Sequence, residues 1–222
     1  MTQSRTQPNT QSRSRAIFSP LLLAASAAAL LLPGAASADI VASAATPLNI
    51  RSGPGPEHAV VGYIPANGQI AVAGCIEGSL WCRVSYRGQF GWAYSQYLNG
   101  NVAGRSVVLS QAITKVPTVT YTVPPGAGTA LAAVPPEITG TIVQRPVSAT
   151  PLDITPPPTV QQYIVANPAQ PVYLNGEVVV GAGLPADVSL TPVPDYQYQY
   201  AYVNGVPVLV EPRSRTVTYI YR

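Results

Sequence analysis

The sequence predicts a mainly β protein in two small folded parts. The first is a five-stranded barrel and the second an α+β unit of hairpins with one short helix. Three observations predict this. Residues 46–100 alternate short apolar runs with Gly, Pro and Asn turns. Residues 104–158 hold ten prolines and few charges. Residues 159–222 carry two Asn-Gly dipeptides, each between apolar arms, and eight tyrosines.

Ahead of these parts, residues 1–38 have the layout of a secretory signal. Arg5, Arg13 and Arg15 precede an apolar core around Leu21–Leu32. Pro33-Gly34 follows, and then the small residues Ala36-Ser37-Ala38. Cleavage is expected between Ala38 and Asp39. The competing reading is an uncleaved anchor, since the run of about 23 residues could span a bilayer. Pro20 and Pro33 interrupt it, however, and it ends in small residues. No Cys follows the core and no Arg-Arg pair precedes it, so a lipoprotein anchor and the twin-arginine route are not indicated. The expected location is periplasmic or secreted, with no integral membrane span after cleavage.

The formal charge of +3 comes from those three arginines. The rest of the chain holds nine basic and nine acidic residues. No basic patch remains to neutralise phosphates, which argues against a nucleic-acid partner.

Within residues 39–103, strands are expected near Pro47–Arg51, Val60–Ile64, Gln69–Ile76, Trp81–Tyr86 and Gln89–Ala93. Turn signals separate them: SGPGPEH, Ala66-Asn67-Gly68, residues 77–80 and Arg87-Gly88. Five short strands in about 50 residues suit a small barrel, whose closure limits exposed edges. If residues 77–80 form a four-residue hairpin loop, Cys75 and Cys82 sit directly across the ladder. In an oxidising compartment such a pair reads as a disulfide. Two buried free thiols are the alternative. A metal site would need about four ligands, and the single histidine is His58. No metal and no cofactor is expected.

LNIRSGPG (48–55), VVGYIPANGQIAV (60–72) and WCRVSYRGQFGWAYSQYL (81–98) resemble the bacterial SH3-like domain. The departures are Ile50 for Val, Asn67 where Lys is commoner and Ala93 for Val. The resemblance implies a compact β-barrel serving as an accessory module of envelope and secreted proteins. Members often bind peptidoglycan peptides or other cell-wall components, and many have no known ligand. Aromatics of SH3-type grooves commonly hold extended peptides. On that basis Tyr63, Tyr86, Tyr94 and Tyr97, with Asn49 and Arg51, are the candidate ligand-binding residues. For Trp92 packing is expected.

Residues 104–158 read as a Pro-rich linker, largely disordered, because Pro124-Pro125, Pro135-Pro136 and Pro156-Pro157-Pro158 favour extended polyproline conformation. Within it, Ser106–Val123 has enough Val, Leu, Ile and Tyr for an extra strand or two.

In residues 159–222, Thr159 and Gln162 fit a capping box opening a helix over Val160–Ala166. That helix would end before Asn167-Pro168. Asn175-Gly176 and Asn204-Gly205 each predict a type I′ hairpin. The last strand is expected at Thr216–Tyr221. Tyr196, Tyr198, Tyr200 and Tyr202 alternate, so on a strand they share one face. That face would pack on the helix or the hairpin, with partners such as Leu209 across the ladder, or else form an exposed binding platform. This tail resembles a small domain family of unknown function from Gram-negative envelope proteins. The resemblance rests on PVYLNGEVVVG (171–181), Leu184-Pro185 and YVNGVPVLVEPR (202–213).

The catalytic readings fall short. Gly53-Pro54-Gly55 lacks the third glycine of a dinucleotide loop and the Gly-Lys-Ser/Thr of a phosphate loop. Nucleophilic chemistry would need a Cys–His or Ser–Lys pairing. His58 lies in a turn, and Lys115, the one lysine, borders the linker. The nine acids are dispersed, with no pair placed for glycoside hydrolysis. The sequence therefore points to an exported, non-catalytic envelope protein whose SH3-like domain binds a cell-wall peptide or envelope protein. A structural scaffold and an accessory regulator of a separate wall hydrolase are the alternatives.

Overall fold

Alternation of core and surface residues builds the first part. The computed structural model describes residues 39–123, 137–143 and 154–222. The signal segment with its Ala38–Asp39 boundary lies outside them, save for Asp39. So do residues 124–136 and 144–153 of the proline-rich stretch. Strands β1 (Ile40–Ala44), β2 (Leu48–Arg51), β3 (Val60–Ile64), β4 (Gln69–Cys75), β5 (Trp81–Tyr86), β6 (Gln89–Tyr94), β7 (Leu98–Val102) and β8 (Arg105–Val108) form a sheet of order β3-β2-β6-β5-β4-β1-β7-β8. The five expected strands are β2 to β6. Leu48, Ile50, Ile64, Val72, Cys82, Val84 and Ala93 fill the interior. Asn67, Arg87 and Ala103 take positive φ at the tight turns. Gly91 permits a close crossing of β6 by β2, since a Cβ there would lie 2.5 Å from the Arg51 carbonyl oxygen.

Cys75 and Cys82 pair across β4 and β5 and are joined by a disulfide. Among the described residues no cysteine is free.

Residues 105–123, grouped with the linker on composition, are built onto the barrel instead. β8 extends the sheet, a 3-10 segment spans Leu109–Lys115, and the chain then runs beside the disulfide. There the Cys75 N–H donates to the Pro117 carbonyl (2.8 Å), and the Val119 N–H donates to the Cys75 carbonyl (3.0 Å). The apolar residues of this stretch explain the placement: Leu109 and Val116 are buried in the barrel core.

The second part is a sheet of order β14-β13-β12-β10-β9. Its strands are β9 (Ile138–Thr141), β10 (Pro171–Asn175), β12 (Gln199–Val203), β13 (Val206–Glu211) and β14 (Thr216–Ile220), with the short β11 (Thr191–Pro192) beside β12. Asn204 and Gly205, at φ 53° and 77°, make the expected tight hairpin between β12 and β13. The hairpin expected at Asn175-Gly176 does not form. Parallel pairing takes up β10 instead, with β12 along Pro171–Val172 and with β9 along Tyr173–Asn175. Only Gly176 takes positive φ there (100°), and the chain leaves the sheet. The capping box also fails. Helix α1 (Pro158–Ala166) has Pro157 at its N-cap and Pro158 in its first turn, with no side-chain cap. Proline at the first position of a helix sacrifices no bond, so the triple proline starts the helix one residue before Thr159.

The tyrosines pack as the simpler expectation had it. Tyr200 lies opposite Leu209, and both are buried against Val160 and Ile164 of α1. Tyr202 points the same way, while Tyr196 and Tyr198 precede β12 and close the cluster from its edge. The Tyr200 hydroxyl donates to the Asn167 carbonyl and that of Tyr202 to the Ile164 carbonyl. Tyrosine hydroxyls thereby serve carbonyls that a helix C-terminus leaves without partners.

The opposite face of this sheet carries Ala201, Val203, Val208, Val210 and Val217, and these belong to one apolar core with Leu48, Ile50 and Trp92 of the barrel. The described residues accordingly lie in one compact unit. The sequence expectation was a Pro-rich linker between two folded parts; the described residues of those parts share apolar surface.

Candidate functional site

On β2, Leu48 and Ile50 point into the barrel, so Asn49 and Arg51 point outward. Both are nevertheless fully buried. What covers them is the corner after β10. There Glu177, itself without exposure, sets its carboxylate against the Arg51 guanidinium. Arg51 Nε donates to Glu177 Oε2, and Nη2 donates to Oε1 at 2.9 Å. Asn49 Nδ2 donates to the same Oε1 at 3.0 Å. Arg51 Nη1 reaches the carbonyls of Pro56 (2.9 Å), His58 (2.7 Å) and Asn204 (3.0 Å). The irregular loop SGPGPEH thus folds two carbonyls onto the arginine that precedes it. Planar, two-pronged pairing of this kind is the strongest that a guanidinium makes with a carboxylate.

Asn204 completes the corner. Its Oδ1 accepts from the Leu174 N–H (2.8 Å) and its Nδ2 donates to the Gly176 carbonyl (3.0 Å). Arg222 Nε donates to Asn49 Oδ1 (2.8 Å), and its guanidinium lies over the Tyr63 ring at 5.9 Å.

The six residues expected to bind a ligand therefore divide. Asn49, Arg51, Tyr94 and Tyr97 converge on the Gly176-Glu177 corner. Tyr94 and Tyr97 are buried, and the Tyr94 ring lies 3.7 Å from where a Cβ on Gly176 would stand. Burial, followed by the neighbouring Tyr94 and the Glu177 charge, raises the Tyr97 hydroxyl far above its ordinary pKa. Tyr63 is exposed at the rim, and Tyr86 stands apart at a hairpin tip with Arg87 over its ring. Sequence reasoning missed Glu177, Asn204 and Arg222. One signal was present: a lone acid inside the apolar run LNGEVVV.

Residues 46–99 match the family model of the bacterial SH3 domain, and residues 163–222 match that of a domain of unknown function, DUF1236. The chain joins a bacterial SH3 domain to a DUF1236 domain. No curated protein and no solved structure matches it. Neither family is enzymatic. The SH3 match leaves out β1, most of β7 and β8, which continue the sheet beyond β4, and the DUF1236 match begins inside α1. The Arg51–Glu177 contact runs between the two domains.

One stretch of the SH3 domain's outer face stays open. Directly paired residues of β5 and β6 share a face, so Arg83 stands with Trp92, and Ser85 with Phe90. Phe90 is 64% exposed. Beside it a cleft opens between Arg83, Trp92 and Tyr121. The Tyr121 ring meets that of Trp92 edge-on at 5.5 Å and that of His58 at 5.7 Å. Among the described residues, no group of His, Cys, Asp and Glu could hold a metal, and no helix is long and apolar enough to cross a membrane.

Proposed function

We propose that this is an exported, non-catalytic envelope protein whose SH3 domain binds a cell-wall peptide or an envelope protein. The observation that carries the reading is the open cleft beside Phe90. An exposed aromatic ring, the edges of Trp92 and Tyr121 and the guanidinium of Arg83 line one surface. That combination suits an extended peptide with an acidic group: rings cover its apolar parts and the arginine takes a carboxylate. The binding surface proposed is thus β5, β6 and the segment around Tyr121, displaced from the closed face at Asn49 and Arg51.

Export is supported by the signal layout and by the disulfide, which fits an oxidising compartment. Strand β1 begins at Ile40, so cleavage after Ala38 would leave it whole.

The test is co-sedimentation of residues 39–222 with purified peptidoglycan, comparing wild type with Phe90→Ala and Arg83→Ala. Both side chains are exposed, so neither change should disturb the fold. Wild type pelleting and both variants staying in solution is the expected result. No pelleting of wild type at any salt concentration would remove wall binding. It would favour the second reading, a structural scaffold, for which the closed Asn49–Arg51 face already speaks.

A further inference from the structure

We infer that the outer face of the SH3 domain around Asn49 and Arg51 is a receptor for a carboxylate on a tight glycine corner, and that its occupant is Asn175-Gly176-Glu177 of the same chain. The inference does not depend on wall binding, which uses a different stretch of the surface.

Three observations carry it. First, the receptor is assembled largely within the SH3 domain. The Pro56 and His58 carbonyls hold Nη1, which leaves Nε and Nη2 directed at the carboxylate, with the Asn49 amide beside them. A guanidinium fixed by its own loop is preorganised for a planar, two-pronged partner. Second, the occupant is shaped for the site. Gly176 at φ 100° turns the chain where L side chains are disfavoured, and Asn204 clamps the corner from both sides through Leu174 and Gly176. Third, the contact joins residues 126 apart, and neither charged partner is exposed to solvent. A buried arginine and a buried glutamate are each costly alone, so each domain supplies the group that makes the other's burial tolerable.

The covalent connection raises the effective concentration of the corner over any free carboxylate. In the intact chain this face is therefore closed to acidic ligands in solution. The DUF1236 domain acts as the SH3 domain's internal ligand and confines outside partners to the Phe90 cleft.

A cleavage experiment tests this. A specific protease site is inserted between Gly126 and Ala127, the folded chain is cut, and the two pieces are followed by size-exclusion chromatography and by dilution. The wild-type pieces should stay together at micromolar concentration. With Glu177→Gln, which keeps the shape and removes the charge, the pieces should part on the order of a hundredfold more readily. Glu177→Ala should part them further, and circular dichroism before cutting shows whether each variant is folded. Wild-type pieces that separate at once, or Glu177→Gln pieces that hold as tightly as wild type, would overturn the inference.

Discussion

The carboxylate of Glu177 lies against the guanidinium of Arg51, 126 residues earlier, and neither side chain reaches solvent. Removing one member strands the other charge in an apolar interior. Glu177→Ala should therefore destabilise the chain by about 3–5 kcal/mol. Replacing both by apolar residues, Arg51→Met with Glu177→Leu, should cost much less, because no charge is then left buried. Urea denaturation checks both. Equal losses in the single and the double variant would show that packing, not charge, sets the cost.

Most of the barrel was legible because its signals are local. Alternating apolar residues, Asn-Gly and Arg-Gly turns and the cysteine spacing act over a few residues, and β2 to β6 lie where they predict. The second hairpin was not, because Asn175-Gly176 has the right dipeptide in the wrong company. Its fate is set by β9 and β12, which pair with β10 and are distant in sequence. What covers part of the candidate site was hidden for the same reason. Asn49 and Arg51 do point outward from the barrel, as alternation requires, yet nothing near them in sequence reveals that Glu177 will cover them. Composition likewise hid the placement of residues 105–123, whose few apolar side chains suffice once a neighbouring surface exists.

Asn204 is the second test of the corner. It takes φ 53° in the turn and also bonds the Leu174 N–H and the Gly176 carbonyl. Asn204→Gly keeps the turn but leaves two buried backbone groups without partners, at about 1–3 kcal/mol each. Asn204→Ala loses the same bonds and adds about 1–2 kcal/mol for the left-handed backbone. The order wild type, Gly, Ala in thermal denaturation is expected. A Gly variant as stable as wild type would show that the amide contributes only conformation.

The Cys75–Cys82 bond closes a short loop. In the chain-entropy account, a loop of about eight residues gives about 2.5 kcal/mol. Cys75→Ser with Cys82→Ser should lower stability by about that amount and should leave the hairpin itself in place, since Ile76 and Trp81 pair through the backbone at 3.1 Å. Denaturation of the double variant, beside wild type with and without reductant, measures it. Reductant should move wild type and leave the variant unchanged.

His58 is the chain's single histidine, so its titration can be read without assignment. Burial lowers its pKa below 6.5; the Arg51 charge acts the same way, and Glu57, 3.4 Å away, opposes them. A base whose folded pKa lies below its unfolded value binds fewer protons when folded. Its contribution to stability is complete above 6.5 and is lost as the pH falls from there through the folded value. The imidazole proton resonance should therefore show a midpoint below 6.5, and Glu57→Gln should lower it further by removing the opposing charge. A midpoint at or above 6.5 would mean that the loop carrying His58 does not close over Arg51 in solution, and that the two carbonyls holding the guanidinium are not in place.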